Sequence, residues 1–119
     1  MRKLRIGMAQ INTTVGDFNK NTKRIITAIK EAQALGVDLL SFPELAICGY
    51  PPEDLLFKSK FIKQNARSLR QIIEQTADIT TIIGFVDDQD DIYDAAAVVY
   101  DNKLVNIYHK IYLPNYGVF

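Results

Sequence analysis

The sequence holds a single cysteine, Cys48, in 119 residues. An internal disulfide is therefore excluded, and the usage fits a reducing, cytoplasmic setting. Net charge is missing too, because 14 basic and 14 acidic side chains cancel. Nucleic acid and anionic membrane surfaces demand a basic excess, so neither is expected as a partner. No apolar run approaches the roughly 18 residues of a membrane span. The stretch after Met1-Arg2-Lys3, Leu4 to Gln10, is too short and too polar for a secretory signal. Glycine is sparse, six residues scattered along the chain. Neither GxGxxG nor a P-loop pattern occurs, so no phosphate cradle is expected. Histidine appears once, at position 109. Internal repeats and low-complexity linkers are absent.

What is present reads as one mixed α/β domain. Hydrophobic residues make up 48% and charged residues 24%, ordinary values for a soluble globular chain. Leu4 to Gln10 alternates and predicts a first strand, central in its sheet. Asp17 is placed to cap a helix whose inner face carries Phe18, Thr22, Ile25, Ile29, Ala32 and Leu35, with Gly36 as the stop. Lys20, Lys23, Lys30 and Gln33 form its polar face, so the helix covers a sheet on one side only. Val37 to Phe42 is a continuous apolar run of the kind expected for parallel pairing. Ser59 is placed to cap a second helix with Phe61, Ile62, Asn65, Leu69, Ile72 and Ile73 inward. Thr80 to Val86, Tyr93 to Tyr100 and Leu104 to Tyr108 predict three more strands, the last two joined by a turn at Asp101-Asn102-Lys103. The chain closes on Val118-Phe119 without a polar tail, which predicts a piece of a longer polypeptide.

Four acidic residues, Asp87, Asp88, Asp90 and Asp91, cluster before the fourth strand. They lack the glycine and distal glutamate of a calcium loop, so a solvated hairpin tip is the preferred reading and no metal site is expected. The chemically suggestive stretch is SFPELAICGYPPEDLL, Ser41 to Leu56. An apolar strand runs into Pro43-Glu44, and Gly49 with Pro51-Pro52 forbids regular structure beyond it. A carboxylate there is expensive to bury unless paired or used. It is either the N-terminal carboxylate of the next helix or half of a site with Lys110. Glu44 and Lys110 both fall at predicted strand ends. Together they form either a structural ion pair or a general base beside an oxyanion stabiliser. Cys48 has no cation and no helix N-terminus near it in sequence to lower its pKa, and reads better as a small buried residue than as a nucleophile. His109 alternates with Lys110 and so points to the opposite face, as a hydrogen-bonding structural residue.

Four stretches in order resemble the carbon–nitrogen hydrolase, or nitrilase, superfamily. Within it they look like the N-terminal glutaminase domain of glutamine-dependent NAD synthetases. They are LRIGMAQINTTVGDFNKN, FPELAICGYPPEDLL, IIGFVDD with YDAAAVVYDNKLVNIYHK, and HKIYLPNYGVF. The resemblance covers the whole chain. It implies an α-β-β-α sandwich with a mixed sheet and helices on one face, of which residues 1–119 form the N-terminal half. It also implies a Glu-Lys-Cys triad in which Glu44 is the base, Lys110 stabilises the oxyanion, and the nucleophile lies beyond Phe119, where Cys48 does not sit. Tyr50 and Tyr116 resemble the glutamine-pocket tyrosines; packing around the strand ends is their alternative. The implied activity of the parent is hydrolysis of the glutamine amide, with ammonia passed to a synthetase domain of the same chain. That domain would use ATP and Mg to convert nicotinic acid adenine dinucleotide to NAD. A homo-oligomer is expected, and this fragment alone is expected to be inactive. The competing readings are another nitrilase-family amidase acting on a small amide, and a non-catalytic interaction fragment.

Overall fold

In a computed structural model of the chain, residues 3–89 and 91–110 are described. Their elements follow the expected β-α-β-α-β-β-β order. They are β1 (Ile6–Met8), α1 (Phe18–Ala34), β2 (Leu39–Ser41), α2 (Ser59–Glu74), β3 (Thr80–Asp87), β4 (Tyr93–Tyr100) and β5 (Lys103–His109), with a 3-10 turn at Glu53–Phe57 before α2. The strands form one sheet in sequence order. β1, β2 and β3 run parallel, while β3, β4 and β5 are antiparallel, so the sheet is mixed.

Register explains which face is covered. Residues paired across a ladder share a face. Thr81, Ile83 and Phe85 on β3 pair with Val99, Ala97 and Ala95 on β4, and all six are buried. They join Ile25 and Ile29 of α1 and Leu69 and Ile72 of α2 in one core. The helices therefore lie on one face, as expected. The other face carries Ile6 and Met8 of β1, Ile82 of β3, Val98 and Tyr100 of β4 and Tyr108 of β5, aligned by the same ladders. Ile6, Met8, Tyr100 and Tyr108 are exposed.

The helix ends show what sequence signals do and do not fix. Asp17 caps α1: its carboxylate accepts the Lys20 backbone N–H at 3.1 Å. Gly36 follows the helix at φ +71°, the left-handed conformation that glycine adopts freely. Leu35 is not on the buried face but exposed, because it sits at the cap, where the helical path has already ended. Ser59 does not cap α2. It is the first helical residue, and Lys58 occupies the cap without a side-chain bond. β1 differs as well: among the described residues it is a three-residue strand at the sheet edge, not a central one. Its alternating apolar side chains belong to the open face, so apolar character there did not signal burial.

Two buried asparagines pin the layers. Asn65 of α2 bonds both the N–H and the carbonyl of Val86 on β3. Asn21 of α1 donates to the carbonyls of Thr14 and Ile47 and accepts from Thr14 N–H. It thereby ties both loops above β1 and β2 to one helix. The β4–β5 turn places Asp101 and Asn102 at φ 47° and 65°, the type I′ geometry that matches strand twist. At the β3–β4 turn, Asp87 ends β3, and Asp88 and Asp91 are exposed.

Candidate active site

The site forms where β2 ends. After Ser41 the chain turns across the open face of β3 instead of entering a helix; the next helical turn begins only at Glu53. Gly84 permits this crossing. A Cβ there would lie 2.3 Å from Leu45 N and 2.6 Å from the Pro43 carbonyl, distances no side chain tolerates. The Ile47 N–H donates to the Gly84 carbonyl at 3.2 Å and fastens the loop. Leu45 is fully buried with φ 50°, a left-handed conformation that costs a bulky residue on the order of 1–2 kcal/mol. Packing of Leu45, Ala46 and Ile47 into the core holds it. Glu44, next to it, is thereby turned out of the core and stays exposed.

Lys110 arrives from the other side of the sheet. It follows β5, and its backbone N–H donates to the Asp94 carbonyl at 2.8 Å, extending the β4–β5 ladder. Its Nζ donates to Glu44 Oε1 at 2.8 Å across a sequence separation of 66 residues. The two predicted residues thus meet, beside a cleft of about 270 Å³ lined by Glu44, Asp94, Tyr108 and Lys110 over Gly84 and Ala96. Tyr50 lies further along the loop after Glu44 and is half exposed; Glu44 and Lys110 line the cleft, and Tyr50 does not. Tyr116 lies outside the described residues.

Asp94 is the residue that sequence reasoning missed. It sits on β4, is 5% exposed, and places Oδ2 3.9 Å from Lys110 Nζ. Asp94 lines the same cleft as Glu44, close enough that a bond between the two carboxyls shifts the titration of both. Burial, then the bond to Glu44 and the Glu44 charge, pushes Asp94 up to about 7. Glu44 is moved the other way: the bond from Asp94 and then that from Lys110 hold it below the ordinary glutamate value. Lys110 is raised, first by its bond to Glu44. At neutral pH the site is thus an ionised glutamate and a full ammonium, with the Asp94 carboxyl behind them near the midpoint of its titration. A signal existed in the sequence: Asp94 is the one charge inside an otherwise apolar strand, and it alternates onto the side of Ala96. Gly84, a glycine within a strand, marks a close backbone approach in the same way.

Cys48 is fully buried and donates through Sγ to the carbonyl of Gly49 at 3.3 Å. Burial pushes its thiol up to about 12, so it is not an available nucleophile. The His109 ring meets Asp87 Oδ2 at 2.7 Å and stacks on Tyr93 with centroids 3.9 Å apart. It is engaged there rather than at Glu44. Among the described residues no group of three potential metal ligands converges.

One mixed α/β sheet thus brings a glutamate and a lysine together from separate strand ends. The profile of the carbon–nitrogen hydrolases matches residues 5–118, and the chain belongs to that family. It is 46% identical, over its whole length, to the glutamine-dependent NAD(+) synthetase of Thermotoga maritima. The glutamine-dependent NAD+ synthetase of Acinetobacter baumannii superimposes with a TM-score of 0.89 at 34% identity, over 98% of this chain and 22% of that one. An amidase from Nesterenkonia sp. shares the fold, with a TM-score of 0.81 at 22% identity, over 94% of this chain and 44% of that one. The chain spans about a fifth of the length of the curated relatives it matches, 21% for the Thermotoga protein. Among the described residues, no helix is long and apolar enough to cross a membrane.

Proposed function

We propose that this chain supplies the general base and the oxyanion-stabilising cation of a glutamine amidase, within a polypeptide that uses the released ammonia to make NAD. The observation that carries this reading is the 2.8 Å contact between Glu44 and Lys110, reached from separate strand ends at the lip of a cleft. The names of the relatives support the substrate. Glu44 takes the proton of a thiol supplied by the polypeptide beyond this chain, passes it to the departing ammonia, and then activates water against the thioester. Its lowered pKa keeps it ionised and able to accept. Lys110, charged throughout the neutral range, releases Glu44 and donates to the tetrahedral oxyanion. Tyr50 and Tyr116 are the residues assigned to glutamine binding in this reading. The synthetase domain of the same parent chain binds ATP and Mg and aminates nicotinic acid adenine dinucleotide; the parent is a cytoplasmic homo-oligomer.

Glutamine hydrolysis by the full polypeptide tests this. Glu44→Gln is expected to lower kcat/KM by about 10²–10⁴-fold, and Lys110→Gln by about 10²–10³-fold. The 119-residue chain alone is expected to release no ammonia. Activity in that chain, or a fully active Glu44→Gln variant, overturns the assignment.

A further inference from the structure

Two carboxyl groups and one ammonium meet along the cleft, and their distances are unequal. Lys110 Nζ is 2.8 Å from Glu44 Oε1 but 3.9 Å from Asp94 Oδ2. The cation is therefore engaged more closely by Glu44, and among the described residues the cation paired with Asp94 is this same Lys110, at the longer distance. Asp94 is also the most enclosed of the three: its side chain is 6% exposed, against 43% for Glu44 and 38% for Lys110. An ionised carboxylate at that depth, touching a second carboxylate, carries both a desolvation cost and a like-charge cost. A neutral carboxyl removes both and gains one O–H donor, for which Glu44 is the acceptor within reach.

We propose that Asp94 is a positioning residue of the site: as a neutral acid it donates a hydrogen bond to Glu44 and holds that carboxylate aimed at the cleft while Lys110 is free to turn to the substrate. The proposal rests on the amidase reading only for its kinetic consequence. Without Asp94, Lys110 is the sole partner among the described residues that fixes Glu44, and the same ammonium is needed at the oxyanion. With it, Glu44 keeps its orientation after Lys110 leaves. Among the described residues no titratable side chain other than Glu44 and Lys110 is paired with Asp94. From the loop after β2 Glu44 faces it, and from the end of β5 Lys110 does, at 3.9 Å. The ladder neighbour on β3, Val86, carries no charge. Tyr50 acts on Lys110, while Asp87, Tyr93 and His109 engage one another on the opposite face. Loss of the Asp94 proton leaves two carboxylates competing for one ammonium and withdraws the bond to Glu44. Such a carboxyl is lost near pH 7.

The test uses the full polypeptide as wild type, Asp94→Asn and Asp94→Ala. Infrared difference spectra taken on either side of about pH 7 read the carboxylic acid directly, and glutamine hydrolysis across the same range reads its effect. The wild type is expected to show a protonated carboxyl that disappears through this interval, with a parallel alkaline fall in kcat/KM. Asparagine keeps an N–H donor of the same shape but cannot ionise, so Asp94→Asn is expected to lose both the infrared band and the alkaline fall. Asp94→Ala removes the donor and is expected to cost about 10- to 100-fold in kcat/KM, carried by kcat rather than KM, with most of it recovered in Asp94→Asn. No titrating carboxyl in the wild type, or an alanine variant with wild-type activity and pH profile, overturns the proposal. A protein that shows the Asp94 titration but hydrolyses no glutamine supports the positioning of Glu44 and refutes the amidase reading instead.

Discussion

Glu44, Asp94 and Cys48 have fates decided by small differences in what surrounds them at the atomic scale. Glu44 and Asp94 are both carboxylic acids in mutual contact, yet one is held ionised and the other is driven toward its acid form. The difference is access: Glu44 reaches solvent and the ammonium, and Asp94 reaches neither as well. Cys48 lies only four positions after Glu44 and is chemically inert for the reason opposite to that of an active-site thiol, since burial without a cation favours the protonated form. Its reactivity is a direct check. In the native polypeptide an alkylating reagent is expected to leave Cys48 unmodified and to label it only after unfolding, as read by peptide mass mapping. Rapid labelling of Cys48 in the folded protein contradicts the burial described here.

At the scale of elements, the site depends on how one loop crosses one strand. The loop from Pro43 to Cys48 lies over β3 because Gly84 offers no side chain to obstruct it. Gly84→Ala is therefore expected to push the loop away and separate Glu44 from Lys110. A cost of about 1–3 kcal/mol in stability is expected for overpacking of this kind, together with loss of glutamine hydrolysis in the full polypeptide. Urea denaturation and the activity assay check the two halves separately. A variant as stable and active as the wild type shows that the crossing is looser than its contact distances indicate. The strands themselves follow side-chain chemistry closely. β4 and its turn into β5 were readable because Tyr93 to Tyr100 is apolar and Asp101-Asn102 accepts left-handed backbone. β1 was misplaced because edge and centre cannot be told from alternation alone when the outward face is itself apolar.

At the scale of the whole molecule, the sheet is covered on one face and open on the other. Ile6, Met8, Tyr100 and Tyr108 stand exposed on that open face. Apolar surface of this extent drives association in water, so the 119-residue chain studied alone is expected to self-associate. Light scattering checks this, and a monodisperse monomer across a wide concentration range counts against it. Stability is expected to depend on pH through Asp94. Its value is about 7 in the folded chain against an ordinary 3.8, so between these limits the folded state binds more protons than the unfolded state. Stability then falls as pH rises through that window, by up to about 1.4 kcal/mol per pH unit. Glu44 is shifted in the opposite direction and contributes stability that is lost only as pH drops below its ordinary 4.5. Urea midpoints of the full polypeptide between these pH values check the sign: they decline with pH in the wild type, and the decline is shallower in Asp94→Asn.

The order of elements, the inward faces of both helices, and the two residues at the strand ends were determined by the sequence itself. Hydrophobic period, capping chemistry and turn residues act locally, and a linear reading captures local forces. What only the tertiary structure decided is relational: that β1 is an edge, that Gly84 lies beneath the Glu44 loop, and that Asp94 stands behind Glu44 and Lys110. Those facts depend on sheet register and on depth below the surface. Both arise from contacts between residues tens of positions apart, and the energy of a charge depends on its depth and its neighbours far more than on the residue type written in the chain.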